Sequence, residues 1–465
     1  SSSDDTKLLG STFIGGPELD GLTLNSSDVY RTRDLKYNYS DDYRGDIITD
    51  ADRNIYVATT SWSDSLPVKN ATQTTNNGKL DGYVFQLLPD CSDMLWGTYM
   101  GGEEQDAFYS IRLDEFDRII IGGGTASSNL PASDTVHSPD INGDVDGLVV
   151  VFDKKTKSLK DLTYFGTEKY DQIYFIDVDL AGNIYGTGQT SGNIQKTADT
   201  YGESGKGQFI FRIDSLLQKI DMQTTFGNKF GGPNLTPSAF LVDVCEHIYF
   251  SGWGSDVDSR FHPGNSLNMP ITADAEQTAT DGNDFYIIVF SKDAETLLYA
   301  TYFGGSETDD HVDGGTSRFD KKGVIYQSVC SSCPGVGQSG QMSDFPTSPG
   351  AAFETNPSVR CSNASFKIDL QISSAVLAHF IARPTFGCAP LTVEFTNQSV
   401  LGDSFIWDMG DGTIITDIEN PTHIYQETGE YKVKLTVIDS NSCNISSEYE
   451  ATINVYEQSE AFFTL

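Results

Sequence analysis

The feature that most restricts this chain is an internal repeat. A short phrase, Thr-aromatic-x-Gly, returns five times: Thr12-Phe13-Ile14-Gly15-Gly16, Thr98-Tyr99-Met100-Gly101-Gly102, Thr163-Tyr164-Phe165-Gly166, the shortened Thr225-Phe226-Gly227, and Thr301-Tyr302-Phe303-Gly304-Gly305. Successive copies lie 62 to 86 residues apart. Self-similarity of this kind points to an array of one supersecondary unit. Between copies lies a second phrase, an aspartate followed by a turn and a strand, beginning at Asp50, Asp114, Asp179, Asp243 and Asp320. A third is a strand that often opens on Asp-Gly, as at Asp81-Gly82 and Asp146-Gly147, with looser copies at Gln208–Ile213, 284–290 and 365–370. Each period therefore supplies four short strands rich in apolar and β-branched residues. Gly, Asp and Asn bound them, and no 3.6-residue period persists.

Four strands per repeat is the arithmetic of a β-propeller blade. The last repeat has its first three strands and no fourth, whereas the phrase at Thr12 has no three strands before it. The pattern predicts an all-β chain whose residues 1–374 form a five-bladed propeller, closed by an N-terminal strand at residues 8–14 that completes the last blade. A sixth blade follows only if the 20–45 connection conceals one. Strand alternation places the tight turns on one face and the segments 62–80, 125–145, 190–207, 253–282 and 330–360 on the other, together with 20–45. Long loops gathered on one face of a rigid scaffold are the default place for binding.

Composition narrows the partners. Lys and Arg number 30 against 66 Asp and Glu, a formal net charge of −36, which argues against nucleic acid and against an anionic membrane surface. The acidity is spread: residues 375–465 carry 3 basic and 13 acidic side chains. No stretch approaches the roughly 18 apolar residues that cross a bilayer, so no direct membrane insertion is expected. The chain opens Ser1-Ser2-Ser3-Asp4-Asp5, without the n- and h-regions of a secretory signal. Seven scattered Cys suit a secreted protein with a few disulfides better than a zinc protein.

From about Ala375 the pattern changes to Ala378-His379-Phe380, then Gly387-Cys388-Ala389-Pro390-Leu391, Trp407-Asp408-Met409-Gly410-Asp411-Gly412, Asn420-Pro421-Thr422-His423-Ile424-Tyr425 and Gly429-Glu430-Tyr431. This resembles a PKD domain, an immunoglobulin-like β-sandwich, over residues 375–457. Tyr431, Val433, Leu435 and Val437 alternate with polar residues as a half-buried strand should, and Trp407 suits a sandwich core. Cys388 and Cys443, near the ends of the module, are expected to form a disulfide. Ala461-Phe462-Phe463-Thr464 echoes Ala378-His379-Phe380-Ile381, so residues 458–465 read as the start of a further module.

The repeats resemble the SBBP-type β-propeller repeats of Bacteroidota surface proteins, on His311-Val312-Asp313-Gly314-Gly315-Thr316-Ser317-Arg318-Phe319-Asp320, Tyr326-Gln327-Ser328-Val329-Cys330 and Ser343-Asp344-Phe345-Pro346-Thr347. In that family the chain usually continues to a gliding-motility-associated C-terminal domain, the sorting signal of the type IX secretion system. The resemblance implies export across the outer membrane, residence at the cell surface, and contact with type IX components through a C-terminal domain that this sequence lacks. Surface proteins of this group are often O-glycosylated at Asp-Ser/Thr-aliphatic triplets. Asp64-Ser65-Leu66, Asp134-Thr135-Val136 and Asp214-Ser215-Leu216 match, and Ser65 and Thr135 are the sites expected in loops.

Chemistry-bearing candidates are few. Of six His, His137, His262 and His311 fall in expected loops and His423 at a position the PKD pattern itself occupies, so structural roles are expected. The sharpest metal candidate is calcium at Asn142, Asp144, Asp146 and Asp153, which stand at positions 1, 3, 5 and 12 of an EF-hand-like loop. Against it, 148–152 reads as a strand and Asp146-Gly147 as the blade phrase. Cys330-Ser331-Ser332-Cys333 lacks the βαβ context of a redox motif. One of that pair, taken as Cys333, is expected to bond Cys361, which opens the next strand on the same face. Cys91 and Cys245 fall in tight turns of the opposite face. Trp62 and Trp253 open two long loops, as stacking platforms for sugars or peptides or as packing beneath their own loops.

The reading is a secreted, non-enzymatic surface protein of adhesive or structural task, whose long-loop face contacts protein or glycan partners and which needs no cofactor beyond calcium. A propeller-scaffold enzyme acting on glycans and a homopolymeric extracellular filament are its alternatives.

Overall fold

Five aspartates fold the backbone around their own side chains. Asp114 Oδ1 accepts hydrogen bonds from the amides of Phe116 and Arg118, both at 3.0 Å. Asp179, Asp243 and Asp320 hold the amides two and four residues on in the same way, and Asp50 holds that of Asn54. One residue of each turn, Arg53, Asp117, Gly182, Glu246 or Gly323, takes a positive φ between 56° and 82°. Side-chain capping and one left-handed residue make a tight hairpin, so every Asp-turn-strand phrase joins the first strand of a sheet to its second.

The computed structural model describes residues 8–21, 35, 45–229, 231–254, 264–312, 317–334, 340–372 and 375–457. His262 and residues 458–465 lie outside them. The chain divides into two compact units, Ser1–Gln371 and Ile372–Leu465. In the first, strands run β1 (Asp46–Thr49), β2 (Ile55–Ser61), β3 (Asp81–Leu87), β4 (Met94–Met100), β5 (Asp106–Leu113), β6 (Arg118–Thr125), β7 (Asp146–Asp153), β8 (Leu159–Phe165), β9 (Asp171–Val178), β10 (Ile184–Thr190), β11 (Gln208–Ile213) and β12 (Ile220–Phe226). There follow β13 (Thr236–Val242), β14 (Ile248–Trp253), β15 (Phe285–Phe290), β16 (Leu297–Phe303), β17 (Asp309–His311), β18 (Ser317–Phe319), β19 (Val324–Cys333) and β20 (Ser362–Asp369). Every four consecutive strands up to β16 make one antiparallel sheet in chain order. In the fifth sheet β17 and β18 share one side of β19, and β20 takes the other.

Apolar clusters lie between successive sheets. Tyr56, Val84, Trp96, Phe108 and Ile121 join the first to the second; Val149, Phe165, Ile173 and Phe209 join the second to the third. Phe226, Phe250, Tyr286 and Phe290 join the third to the fourth, and Trp253, Phe285 and Val329 the fourth to the fifth. The first strands also meet. Arg112 on β5 reaches Asp46 on β1 at 2.9 Å and Asp177 on β9 at 3.3 Å, Asp177 accepts the Val242 amide of β13 at 2.8 Å, and Arg318 on β18 lies 3.8 Å from Asp46.

Residues 8–14 do not complete the fifth sheet. Among the described residues no strand covers the outer side of β20, and Ile14 packs instead with Leu66, Tyr83 and Tyr99 of the first sheet. The cause is Asp20: it accepts the Gly16 amide at 2.6 Å and the Ser61 hydroxyl at 2.6 Å and bridges to Ser61, the place Asp106 and Asp171 take in later sheets. The first phrase therefore opens the first sheet. Leu8, Leu9 and Phe13 stay exposed.

The second unit is a β-sandwich. One sheet holds β21 (Phe380–Arg383), β23 (Leu391–Asn397) and β26 (Thr422–Tyr425); the other orders β22 (Phe386–Cys388), β28 (Ser446–Tyr456), β27 (Gly429–Ile438), β24 (Ser404–Asp408) and β25 (Ile414–Thr416). Trp407 is fully buried and donates through Nε1 to the Ile418 carbonyl at 2.9 Å. Val433, Leu435 and Val437 are buried in alternation, as expected. The expected Cys388–Cys443 disulfide is absent: Cys388 carries a thiol, and Cys443 is disulfide-bonded elsewhere. Cys388 pairs beside Tyr456 at one end of β28 while Cys443 precedes its other end. Eleven residues of strand put them roughly 35 Å apart, far beyond disulfide reach.

Candidate functional site

The long loops emerge where the repeat predicts, after the second strand of each sheet, but they double back. Tyr99 donates its amide to the Gln73 carbonyl at 3.1 Å and Tyr164 to that of Ser138 at 3.0 Å; Thr197 and Thr272 donate to Gln223 and Ala300 at 2.9 and 3.1 Å. Each loop thus covers the outer edge of β4, β8, β12 or β16, which removes an unpaired strand edge. The Thr-aromatic phrase holds it there. Tyr99 Oη donates to the Ser63 carbonyl at 2.9 Å and accepts the Leu66 amide at 2.7 Å. Tyr164 does the same with Ser127 and Leu130, and Tyr302 with both backbone groups of Met269. Thr98 and Thr301 hydroxyls accept loop amides at 2.9 to 3.0 Å.

The glycine of the phrase makes room for two buried carboxyls. One opens the third strand of a sheet and the other the first strand of the next: Asp81 with Asp106, Asp146 with Asp171, and Asp284 with Asp310, all six fully buried. A Cβ on Gly166 would lie 2.7 Å from Asp146 Oδ1 and 3.0 Å from Asp171 Oδ2; on Gly304 it would overlap Asp284 Oδ1 and lie 2.9 Å from Asp310 Oδ2. Asp106 accepts the Gly102 amide at 2.7 Å and the Ser127 hydroxyl at 2.8 Å, and bonds Thr125 as well. Among the described residues Oδ1 of Asp81, Asp171 and Asp284 finds no hydrogen-bond partner. Burial, with the facing Asp81 adding to it, pushes Asp106 up to about 7. Burial likewise raises Asp81 and Asp146 to about 6 and Asp284 to about 7, and lifts Asp171 and Asp310 too. Between the third and fourth sheets the pair is Gln208 and Asn234, with a Gly227 Cβ 3.2 and 2.9 Å from their oxygens.

This geometry corrects the calcium loop. Asp146 is spent on the Asn142 and Gly143 amides at 2.8 and 3.0 Å, while Asn142 and Asp144 are exposed. Asp153 stands at the far end of β7, roughly 23 Å from Asp146 at strand rise, and caps the turn at Lys155 and Thr156. The four residues do not surround one ion. Trp253 is no exposed platform either: it is 2% exposed and packs with Phe285, Val312 and Val329. Trp62 is half-buried against the cluster of Leu80, Ala107 and Tyr109. Ser65 and Thr135 are exposed, as glycan acceptors must be.

A cavity of about 360 Å³ lies between the second and third sheets, lined by Phe116, Arg118, Thr135, Lys160 and Leu216 among others. Its guanidinium is already engaged, by Asp114 at 2.6 Å and the Ser215 carbonyl at 2.7 Å. In the second unit His423 Nε2 meets Asp411 Oδ2 at 2.7 Å, tying β26 to the turn after β24. His311 sits in strand β17, beside Cys330 and Cys333. Cys333 bonds Cys361 as expected, and Cys91 carries a thiol. Sequence reasoning missed both the carboxyl pairs and the His311 cluster. The glycine after each Thr-aromatic step was the signal for the first.

Comparison with known proteins speaks to the second unit. A family model described as the PKD domain matches residues 378–455, so this stretch is a PKD domain. A 50-residue stretch is 44% identical to collagenase ColA and 42% to collagenase ColQ1, both of Bacillus cereus strains, covering 11% of this chain and 5% of each relative. The chain thus matches about a twentieth of those curated relatives. Among solved structures, the PKD1 domain of the Vibrio cholerae metalloprotease PrtV is 33% identical, covering 17% of this chain and 96% of that one with a TM-score of 0.15. No helix among the described residues is long and apolar enough to cross a membrane.

Proposed function

We propose that the five sheets form a five-bladed propeller and that the chain is a non-enzymatic adhesion or structural protein of the bacterial cell surface. The PKD domain carries this reading, because such domains are extracellular adhesion-type modules and this one follows the sheets directly in the chain. Support for the ring comes from the chain of first-strand contacts, in which Asp46 receives Arg112 from the second sheet and Arg318 from the fifth. Support for a structural task comes from the buried carboxyls. Asp106 and Asp310 accept hydrogen bonds from amides and a hydroxyl of the segments around them, which supports a structural use of these carboxyls.

On this reading the exposed parts of the edge-covering loops present the binding surface to a protein or glycan, with Ser65 and Thr135 as O-glycan acceptors. The likeness of residues 311–347 to SBBP-type repeats supports export by the type IX route. Antibody labelling of intact, unpermeabilised cells tests the location; signal only after permeabilisation overturns it. A glycan and surface-protein array tests the activity. Saturable binding with the ligand recovered unchanged is expected, and release of a cleaved product would make the chain an enzyme.

A further inference from the structure

The fifth sheet brings four metal-ligating side chains to one point. His311 ends β17 and stands directly opposite Cys330 in the pairing with β19. Cys330 and Cys333 are three residues apart, so a regular strand would send them to opposite faces. Here the register slips between the Asp309–Cys333 and His311–Cys330 pairs, and Ser332 takes a φ of 52°. The extra residue is a bulge, and it turns both sulfurs to the same side. Their Sγ atoms are 3.6 Å apart, His311 Nδ1 lies 4.0 Å from Cys333 Sγ, and the three ligand atoms all fall within 4.8 Å of one another. Cys361 completes the group: it precedes β20, whose Ser362 pairs with Ser331, and its Cα is 4.1 Å from that of Cys333.

We propose that His311, Cys330, Cys333 and Cys361 form a zinc site of three thiolates and one imidazole, which staples β17, β19 and the residue before β20 together. Zn–S bonds of about 2.3 Å and a Zn–N bond of about 2.0 Å in a tetrahedron separate sulfurs by roughly 3.8 Å and sulfur from nitrogen by roughly 3.5 Å. The observed 3.6 and 4.0 Å are close to both. The Cys-x-x-Cys spacing is that of a zinc knuckle, and soft thiolates exclude calcium and magnesium. The surroundings fit a structural ion. His311 and Cys333 are each 2% exposed, and the Trp253 ring lies 5.7 Å from the imidazole. Asp310 fixes the bulge through the Ser332 amide at 2.9 Å and the Gly305 amide at 2.6 Å.

Disulfide and metal are alternative states of this site. In the oxidised form Cys333 and Cys361 share a bond and Cys330 retains its thiol. A dithiol reductant supplies two electrons and two protons to that bond, giving three thiols. Zinc then displaces their three protons and takes the neutral His311 nitrogen.

The test uses the full chain, reduced with a dithiol, freed of reductant without air, and titrated with zinc or cobalt(II). One zinc per chain is expected, with three thiols protected from a chromogenic disulfide until a chelator is added. Cobalt should give a thiolate charge-transfer band and tetrahedral d–d bands. His311→Ala and Cys330→Ser should each weaken zinc by more than the about 10–100-fold that losing an outer-shell partner costs, whereas Cys91→Ser should change nothing. A reduced chain with unchanged circular dichroism that takes up no stoichiometric metal overturns the proposal. So does equal uptake by His311→Ala and Cys330→Ser. If those variants misfold, the cobalt spectrum of the wild type decides alone, since a spectrum without thiolate charge transfer refutes the site.

Discussion

Replacing Asp81 by Asn should stabilise the first unit at neutral pH and leave it unchanged in acid. Asp81 Oδ2 already accepts Gln73 Nε2 at 2.7 Å and the Asn77 amide at 3.0 Å, while Oδ1 has no partner among the described residues and the facing Asp106 is also a carboxyl. The substitution removes the charge from this buried space and keeps a side-chain oxygen that can accept both bonds. Burial raises Asp81 to about 6 from 3.8. At about 1.36 kcal/mol per unit this costs the ionised fold about 3 kcal/mol. The folded value lies above the unfolded one, so the native state holds the extra proton: the penalty is absent below about pH 4, grows with pH, and is complete above about pH 7. With an unfolding entropy of about 2.1 cal/mol/K per residue, 3 kcal/mol corresponds to about 4 °C in the melting temperature of a unit this size. Differential scanning fluorimetry of wild type and Asp81→Asn at pH 4.5 and 7.5 measures it. The wild type should melt higher as pH falls from 7.5 to 5, and the variant should gain about 4 °C at pH 7.5 but only about 1 °C at pH 4.5. An equal shift at both pH values, or a loss at pH 7.5, refutes the argument that the two carboxyls compete for one buried space.

Two further substitutions probe the same architecture. Gly304→Ala drives a methyl into Asp284 Oδ1, and the overpacking should cost about 1–3 kcal/mol, read as a lower urea midpoint with an unchanged slope. Arg112→Met leaves Asp46 and Asp177, each mostly buried, without their shared cation. A loss of about 3–5 kcal/mol is expected, and it should persist in high salt, since the pair is shielded from solvent ions.

The four-strand repeat and the places of its long loops were legible because the phrases mark strand ends with residues whose chemistry is local. An aspartate that caps the amides two and four residues on leaves the same trace wherever it occurs, and so does the alternation of Val433, Leu435 and Val437. Closure by residues 8–14 was misjudged because the phrase has two neighbours in space. It ends one sheet in four copies, yet Gly16 and Asp20 show that its glycine and the following aspartate belong to the next. The calcium loop failed for a related reason. Spacing along a sequence measures distance only where the chain turns, and between Asp146 and Asp153 it runs straight. The His311 group was invisible because a bulge, not a spacing rule, brings Cys330 and Cys333 together.

The carboxyl pairs also change what the acidity of the chain means. A formal charge of −36 counts every carboxyl as ionised, but burial pushes Asp106 and Asp284 up to about 7, toward the protonated form. The turn aspartates are bonded to backbone amides, so they too serve the fold before they serve the surface. Each period spends one aspartate on its first turn and, at three junctions, two more on a buried pair. Eleven of the 66 acidic side chains are therefore a by-product of repeating one solution to the problem of unsatisfied amides. The junction of Gln208 and Asn234 makes the point directly: amides replace both acids and their oxygens still crowd Gly227. What the fold requires at that place is the hydrogen-bonding shape of a carboxyl, and its charge is a cost the other junctions bear.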